Sequence, residues 1–438
     1  MIVSYILLVS VNPVTSGKSR WEFEHPEVTN ITGKVSDLDR FDAQFFKVHY
    51  RQAHSMDPMG RKLLELAYEV IYDAGLNPIE LDGKKIGVFI GSSISETENK
   101  GFFDLKNKYG FVAPDGKTKS FAENADGCAK SEAINMLYLQ KARDALRVYG
   151  EVISVKNRFI SRIAGETGQV FGFNRDLSSL TLFLKQFYDE ANVSPEEVEF
   201  VEAFGSASPE ADKMELQAIE KVFCENRTDT LLVGSVMSNI GYTDCASGIT
   251  AMTKVLLGYH KMEIAGNLHC EKPRQDVAAL RDGRMQVVRD NQSIRCTYTA
   301  VNGLSVTGVN SHILLHGRLK CKDFTRYKST IPRLLAVSSR QDSNLSKIFE
   351  DLKSRPIDPE ELALLHNIHA NNIPGHLGRG YIILDFDDER KTRSIVEKAE
   401  YRDDAQRPLW FVYSGMGSQW PGMGAQLMRI PIFAAAIE

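Results

Sequence analysis

The sequence predicts a layered α/β protein of more than one domain, and three observations carry that reading. Strand-like and helix-like segments alternate along most of the 438 residues, the pattern of helices packed on a sheet. The composition, 43% hydrophobic and 25% charged, is that of a chain that can bury a core. The length exceeds what one ordinary core organises, so two or three domains are expected.

The elements follow in order. Ile2 to Val9 is apolar but lacks a basic flank and is too short to span a bilayer, so it reads as a buried strand rather than a signal peptide. Leu63, Leu64, Leu66, Ala67, Val70 and Ile71 recur at helix spacing, giving a core-facing helix that ends at Gly75. Lys85 to Ile90 reads as a strand stopping at Gly91-Ser92-Ser93. Residues 94–127 are polar and rich in Gly, Lys and Asp, a loop with little buried surface, and a second helix is expected over Ser131 to Arg147. Helices over Thr181–Ala191, Met214–Phe223 and Ala246–Tyr259 then alternate with strands at Val198–Ala203 and Thr230–Val236. Residues 318–405 change character, with strands at Arg333–Ser338 and Tyr381–Leu384 around a helix at Asn344–Lys353, a small separate α/β unit. After Pro408 a strand at Leu409–Tyr413 runs into the turn Ser414-Gly415-Met416-Gly417.

Several function classes are excluded. With 53 basic and 57 acidic residues the formal charge is -4, so no positive field invites nucleic acid. The cysteines, Cys128, Cys224, Cys245, Cys270, Cys296 and Cys321, form no CxxC pair, which argues against a zinc site or redox couple and fits reduced thiols in the cytoplasm. No membrane partner is expected. Asn30-Ile31-Thr32 and Asn226-Arg227-Thr228 match a glycosylation triplet short enough to arise by chance.

Motifs in a fixed order carry a resemblance. FDAQFF, MDPMGRKLLELAYEVIYDAGLNP and GKKIGVFIGSS are followed by VAPDGKTKSFAENADGCAKSEA, VEAFGSASPEADKMEL, VGSVMSNIGYTDCASG and TAVNGLSVTGVNSHILLHG. Together they resemble a ketoacyl synthase of the thiolase-fold condensing enzymes. PLWFVYSGMGSQWPGMGAQLM is similar to the opening strand and loop of a malonyl/acetyl acyltransferase. The segment between resembles the linker joining the two in animal-type (type I) fatty acid synthases. The resemblance implies a thiolase-like layered α/β/α/β/α core over residues 1–317, a ketosynthase-acyltransferase linker over 318–405 and the start of an acyltransferase over 406–438. It implies decarboxylative condensation of an acyl thioester with a malonyl thioester on acyl carrier protein, in a homodimer and with no cofactor.

The family's catalytic groups do not survive at their positions. Its acylated cysteine lies in a small-residue segment between the strand ending near Ser93 and the loop beginning near Phe102. Here SSISETENK passes almost directly to GFFDLKNKYGFVAPDGK, so nucleophile and helix are absent together. The first catalytic histidine position holds Phe204, the second Tyr242, and the lysine position Met237. Phe204 has no proton to donate. Tyr242 can donate a hydrogen bond but does not titrate near neutrality, and Met237 removes a positive charge. Ser305 and Thr307 stand where the family has glycines, so that loop is expected to change shape.

Other candidates have a functional and a structural reading. Cys128 lies near the gap and reads as a packed, inert thiol; Cys245 sits near a helix start and reads as a small buried residue. His312 reads as a satisfied core histidine. His366 and His369 share a helix at i, i+3, which suits a metal, yet no third ligand stands beside them and a solvated helix face is the better reading. Met416 and Gln419 match the acyltransferase loop that helps form an oxyanion hole, without the serine and histidine that would use it.

Three functions follow: a condensing enzyme by family; a non-catalytic scaffold, or pseudoenzyme, keeping the fold; or a fragment of an incomplete or degenerated gene, with segments absent at residue 1, after residue 99 and after residue 438. Losing the nucleophile segment is expected to uncover apolar faces, lower solubility and weaken the family's dimer.

Overall fold

A computed structural model describes residues 2–8, 11–15, 31–92, 112–164, 172–295, 297–317, 332–356, 358–386, 392–402 and 408–437. The chain forms two compact units, Met1–Ala74 with Lys85–Lys320, and Gly75–Lys84 with Cys321–Glu438.

The first unit contains strands β1 (Ile2–Leu8), β2 (Val11–Thr15), β3 (Thr32–Val35), β4 (Asn135–Gln140), β5 (Gly150–Phe159), β6 (Val198–Glu202), β7 (Leu231–Gly234), β8 (Glu263–Ile264), β9 (Met285–Val287), β10 (Gln292–Ser293), β11 (Tyr298–Leu304) and β12 (Val309–His316). Its helices are α1 (Tyr50–Ser55), α2 (Pro58–Asp73), α3 (Leu177–Ala191), α4 (Pro209–Phe223), α5 (Met237–Ile240), α6 (Ser247–Lys261) and α7 (Ala278–Asp282). Eight strands make one mixed sheet in the order β4-β1-β5-β12-β11-β6-β7-β9. β6 runs parallel to β7 and β11, and β7 to β9, whereas β12 pairs antiparallel with β11 and β5.

Every residue of β6 is buried, as a parallel strand covered on both faces requires. Successive side chains point to opposite faces. Val201, Ala300 and Leu314 join one cluster with Phe183, Leu184 and Phe187 of α3 and Leu216, Ile219 and Phe223 of α4. Phe200, Val301 and Leu315 join another with Ala251, Met252, Val255 and Leu256 of α6. Helices therefore cover both faces of the sheet's parallel half. Local signals set their ends: Asp176 accepts a hydrogen bond from Ser179 N at the start of α3, and Asn192 ends it in the left-handed conformation.

The second unit packs β13 (Arg333–Ser339), β14 (Gly378–Phe386) and β15 (Thr392–Tyr401) in sequence order against α8 (Asp342–Ser354) and α9 (Pro359–His369). Met423–Leu427 and Pro431–Ile437 add α10 and α11. Buried Asn77 donates through Nδ2 to the Ile368 and Asn371 carbonyls at the end of α9, at 3.3 and 3.4 Å, and Asn367 Nδ2 donates to Gly75 O at 2.6 Å. These bonds satisfy carbonyls a helix leaves open at its C-terminus, and they anchor residues 75–84 in this unit. His366 is exposed, but His369 does not lie on a solvated face as expected. Its Nδ1 accepts from Ser338 N at 3.2 Å, and His376 Nδ1 lies 3.2 Å from the Ser338 hydroxyl.

Several other expectations are corrected. Residues 131–147 are not a helix: 135–140 form β4, paired with β1 from Ile2↔Gln140 to Leu8↔Asn135. That partner is more than 120 residues away, so the helical pattern was overridden by a non-local ladder. Residues 85–90 and 409–413 form no strand, because apolar β-formers make a strand only where another strand pairs with them. Val88, Phe89 and Ile90 are exposed, Phe89 by 97%, as is the whole of Leu409–Tyr413. The 94–127 segment is not all surface: Ala113, Phe121 and Ala122 are buried in its described part. On the sheet, Ile153, Val155, Phe159 and Val309 are exposed.

Two tests follow. Replacing Val88 and Phe89 by Thr and Ser should raise the soluble, monomeric fraction in sedimentation while changing stability by less than about 0.5 kcal/mol, since both are surface positions; an unchanged aggregate fraction would reject it. Burial, then His376 and Arg379, push His369 down to about 4. Its neutral form is thus favoured by folding, so stability is full above the ordinary value near 6.5 and falls as pH drops through about 4. His369→Gln should flatten the thermal-stability profile over that window, by up to ~3 kcal/mol.

Candidate active site

Parallel neighbours deliver their following loops to one edge of a sheet, the edge where α/β proteins commonly hold ligands. Glu202↔Gly234 closes the β6-β7 ladder, so residues 203–208 and 235–242 emerge side by side. β11, parallel to β6 on its other flank, ends at the same edge and turns through Ser305–Gly308 into β12.

The loop after β6 is held by a buried carboxylate on α4. Glu215 accepts from Phe204 N at 2.8 Å, Gly205 N at 3.0 Å and Asn302 Nδ2 at 2.9 Å. Ser235 Oγ donates to Phe204 O at 2.8 Å, tying this loop to the one after β7. Gly205 has φ +57°, and a Cβ there would lie 2.6 Å from that of Ser235, so the approach requires glycine. Glu202, also buried, accepts from Val236 N and pairs with Lys254 Nζ at 2.9 Å. Tyr242 N donates to Ala129 O at 2.7 Å and Ser131 N to Tyr242 O at 2.9 Å, joining 129–131 to the second loop.

This frame brings together the three positions singled out in the sequence. Phe204, Met237 and Tyr242 are all buried in one cluster that also contains Cys128 and Phe173. The Phe173 ring lies 4.8 Å from that of Phe204 and 5.7 Å from that of Tyr242, and Phe204 and Tyr242 are 6.1 Å apart. Burial, then the Asp244 carboxylate, raises the Tyr242 phenol far above its ordinary value, so the hydroxyl stays protonated. Lys130 Nζ stands 4.3 Å from the Tyr242 ring centre and 3.4 Å from Asp244 Oδ1, leaving a cation near the site although Met237 supplies none. The arrangement offers one phenolic donor and no general base at these positions.

The remaining candidates are dispersed. Ser305 and Thr307 avoid positive φ; the turn places it on Gly308, at +109°, and the two hydroxyls bond each other at 2.7 Å. His312 is buried, and burial pushes it down to about 3. Its Nε2 is 3.0 Å from Tyr188 Oη and its Nδ1 2.7 Å from Asn302 Oδ1, the satisfied core histidine expected. Cys128 is buried, but Cys245 is exposed, because the single turn Asp244–Ala246 lifts it ahead of α6. Met416 and Gln419 lie in an exposed loop in which Gly417 N donates to Gln419 Oε1 at 3.1 Å. The expected nucleophile gap, from Ser93 to Phe102, lies outside the described residues. Among the described residues no three His, Cys, Asp or Glu side chains are placed to hold a metal.

Sequence reasoning missed Phe173, Lys130, Glu215 and Asp212. The signal for the two acids was present: Asp212 and Glu215 are three apart on the apolar face of α4. Burial pushes Asp212 up to about 7, and it accepts from Phe121 N at 3.1 Å and Ser206 Oγ at 3.0 Å.

Comparison with known proteins gives this frame a family context. Residues 8–110 match the beta-ketoacyl synthase N-terminal domain, 165–271 its C-terminal domain, 273–383 the ketoacyl-synthetase C-terminal extension, and 410–438 the acyl transferase domain. A fatty acid synthase of Anser anser anser is 28% identical over 57% of this chain and 91% of its own length. The highly reducing polyketide synthase sor1 of Hypocrea jecorina is 23% identical over 95% of the chain, and erythronolide synthase EryA2 of Saccharopolyspora erythraea 26% over 97%. The chain spans only 20% and 15% of those two proteins. Among solved structures, the ketosynthase from module 6 of the bacillaene synthase of Bacillus subtilis superimposes with a TM-score of 0.71 at 20% identity, over 87% of this chain and 80% of that one. The oxazolomycin ketosynthase domain OzmH KS7 gives 0.66 at 20%, over 81% and 75%. The fold is thus the thiolase-like ketosynthase fold, and the chain carries the N- and C-terminal domains of the beta-ketoacyl synthase family, that family's C-terminal extension and the opening of an acyl transferase domain.

Proposed function

We propose that this chain is a fatty acid synthase-type ketosynthase region that keeps the fold and has lost the condensation chemistry, a non-catalytic scaffold. The observation that carries it is the gathering of Phe204, Met237 and Tyr242 in one buried cluster, on loops still held by Glu215 and Glu202. In the family reaction an acyl group on a cysteine is attacked by an enolate formed when the malonyl thioester loses carbon dioxide. The enolate oxygen needs donors where its charge develops. Phe204 supplies none, and one buried phenol does not replace two imidazoles. No cysteine precedes Cys128 in the sequence, so the N-terminal part of this region offers no acyl-accepting thiolate.

The fatty acid synthase type is favoured over a polyketide synthase by the higher identity to the goose protein, 28% against 23% and 26%. The polyketide reading is favoured by coverage, 95% and 97% of this chain. On the first reading, residues 1–317 form the ketosynthase, 318–405 the linker and 406–438 the acyltransferase start. By family the partners are acyl carrier protein and malonyl or acyl thioesters; no cofactor is needed, the dimer is weakened and the compartment is the cytoplasm. No helix of the described residues is long and apolar enough to cross a membrane.

The test is condensation of acyl and malonyl thioesters, followed by product formation and carbon dioxide release. We expect background rates, since losing even one oxyanion donor typically costs about 100- to 1000-fold. The variant Phe204→His/Tyr242→His/Met237→Lys should stay at background as well. Rescue by those three changes alone would mean that another thiol, Cys128 or Cys245, serves as nucleophile, and would overturn the proposal.

A further inference from the structure

Arg175 is a buried cation beside this site. Its side chain is fully buried, yet the bonds it makes are to neutral acceptors: Nε to Asn310 Oδ1 at 3.1 Å, Nη1 to the carbonyls of Gly172 and Asn174 at 3.0 and 3.1 Å, and Nη2 to Ser305 O. Among the described residues no carboxylate pairs with this guanidinium, whose removal from water is costly, and what its contacts achieve is geometric. Its planar fork wraps residues 172–174 around itself and fastens them to the turn between β11 and β12. The Phe173 side chain projects from that wrapped segment into the Phe204–Tyr242 cluster, while Leu304 and Val306, flanking Ser305, pack against the same cluster. Arg162 Nη1 adds a bond to Val306 O at 3.4 Å.

We infer that the chain's own side chains close the site against an acyl chain, with Phe173 and Phe204 as the plug and Arg175 as the residue that holds it. The inference rests on the reading of Phe204, Met237 and Tyr242 as the former catalytic positions and goes beyond it: the chemistry is absent, and the volume that would take a thioester's hydrocarbon is filled. Protein interiors are packed like organic crystals, so Phe173 and Phe204, at 3% and 5% exposure, leave no room for a chain unless a ring moves. Arg175 is a positioning residue here, acting through Phe173 and the turn.

Titration calorimetry of the full chain with octanoyl-CoA tests this. The unaltered protein should give no saturable binding up to about 1 mM. Phe173→Ala/Phe204→Ala should gain affinity at least about tenfold, and Arg175→Gln, which removes no core ring, should gain in the same direction by less. Where the double variant does not fold by circular dichroism, Phe204→Leu carries the same expectation. Saturable micromolar binding to the unaltered chain, or no gain in folded variants, would overturn the closure. The two readings separate cleanly: a chain that binds octanoyl-CoA but condenses nothing loses the plug and keeps the loss of chemistry, whereas one that binds and condenses loses both.

Discussion

The Glu215 carboxylate is the interaction on which the rest of the site depends. It sits at the meeting point of α4, the loop after β6 and strand β11, and a relay of buried polar groups ends on it. The Tyr188 hydroxyl donates to His312 Nε2, His312 Nδ1 to Asn302 Oδ1, and Asn302 Nδ2 to Glu215. This direction is the one that satisfies every member, and it assigns His312 the Nδ1–H tautomer. A buried network of this kind specifies geometry when complete and is heavily destabilising when broken. Glu215 then spends its remaining capacity on the Phe204 and Gly205 amides. The backbone at Phe204 is thereby fixed by bonds that do not involve its side chain.

That separation between frame and side chain is what the proposed loss of chemistry requires, since the loops keep their shape without these three side chains. Glu202 and Lys254 hold Val236, Ser235 bridges the two loops, and Gly241 leaves space for the Ala129 carbonyl that receives Tyr242 N. None of these bonds uses the side chains of residues 204, 237 or 242. On the proposed reading, Phe and Met in place of imidazole and ammonium take polar groups out of a dry place and add apolar contact, changes that burial favours.

Much of the fold was legible because its signals are local. Alternation around Val198–Ala203 and the helical periods of α3, α4 and α6 place those elements within a few residues. What was not legible required partners remote in the chain. The 131–147 segment carries a helical pattern, but its ladder with β1 decides it. Lys85–Ile90 and Leu409–Tyr413 carry strand composition and find no strand to pair with among the described residues. At the site, Phe204, Met237 and Tyr242 were readable by position in motifs, while Phe173 was not: it becomes part of the site only through the wrapping of residues 172–174 by Arg175. Cys245 was misread because burial there turns on a single turn of helix, too small a feature for periodicity to resolve.

The central claim is a folded ketosynthase frame without an acyl-accepting thiol. Intact-mass measurement after incubation with an acyl-CoA addresses it most directly, followed by peptide mapping of every cysteine. The account predicts no saturable, stoichiometric increment on any thiol, with Cys245, as an exposed side chain, showing at most slow labelling that rises linearly with reagent. A single cysteine acylated rapidly, to one equivalent and with saturation, would contradict it.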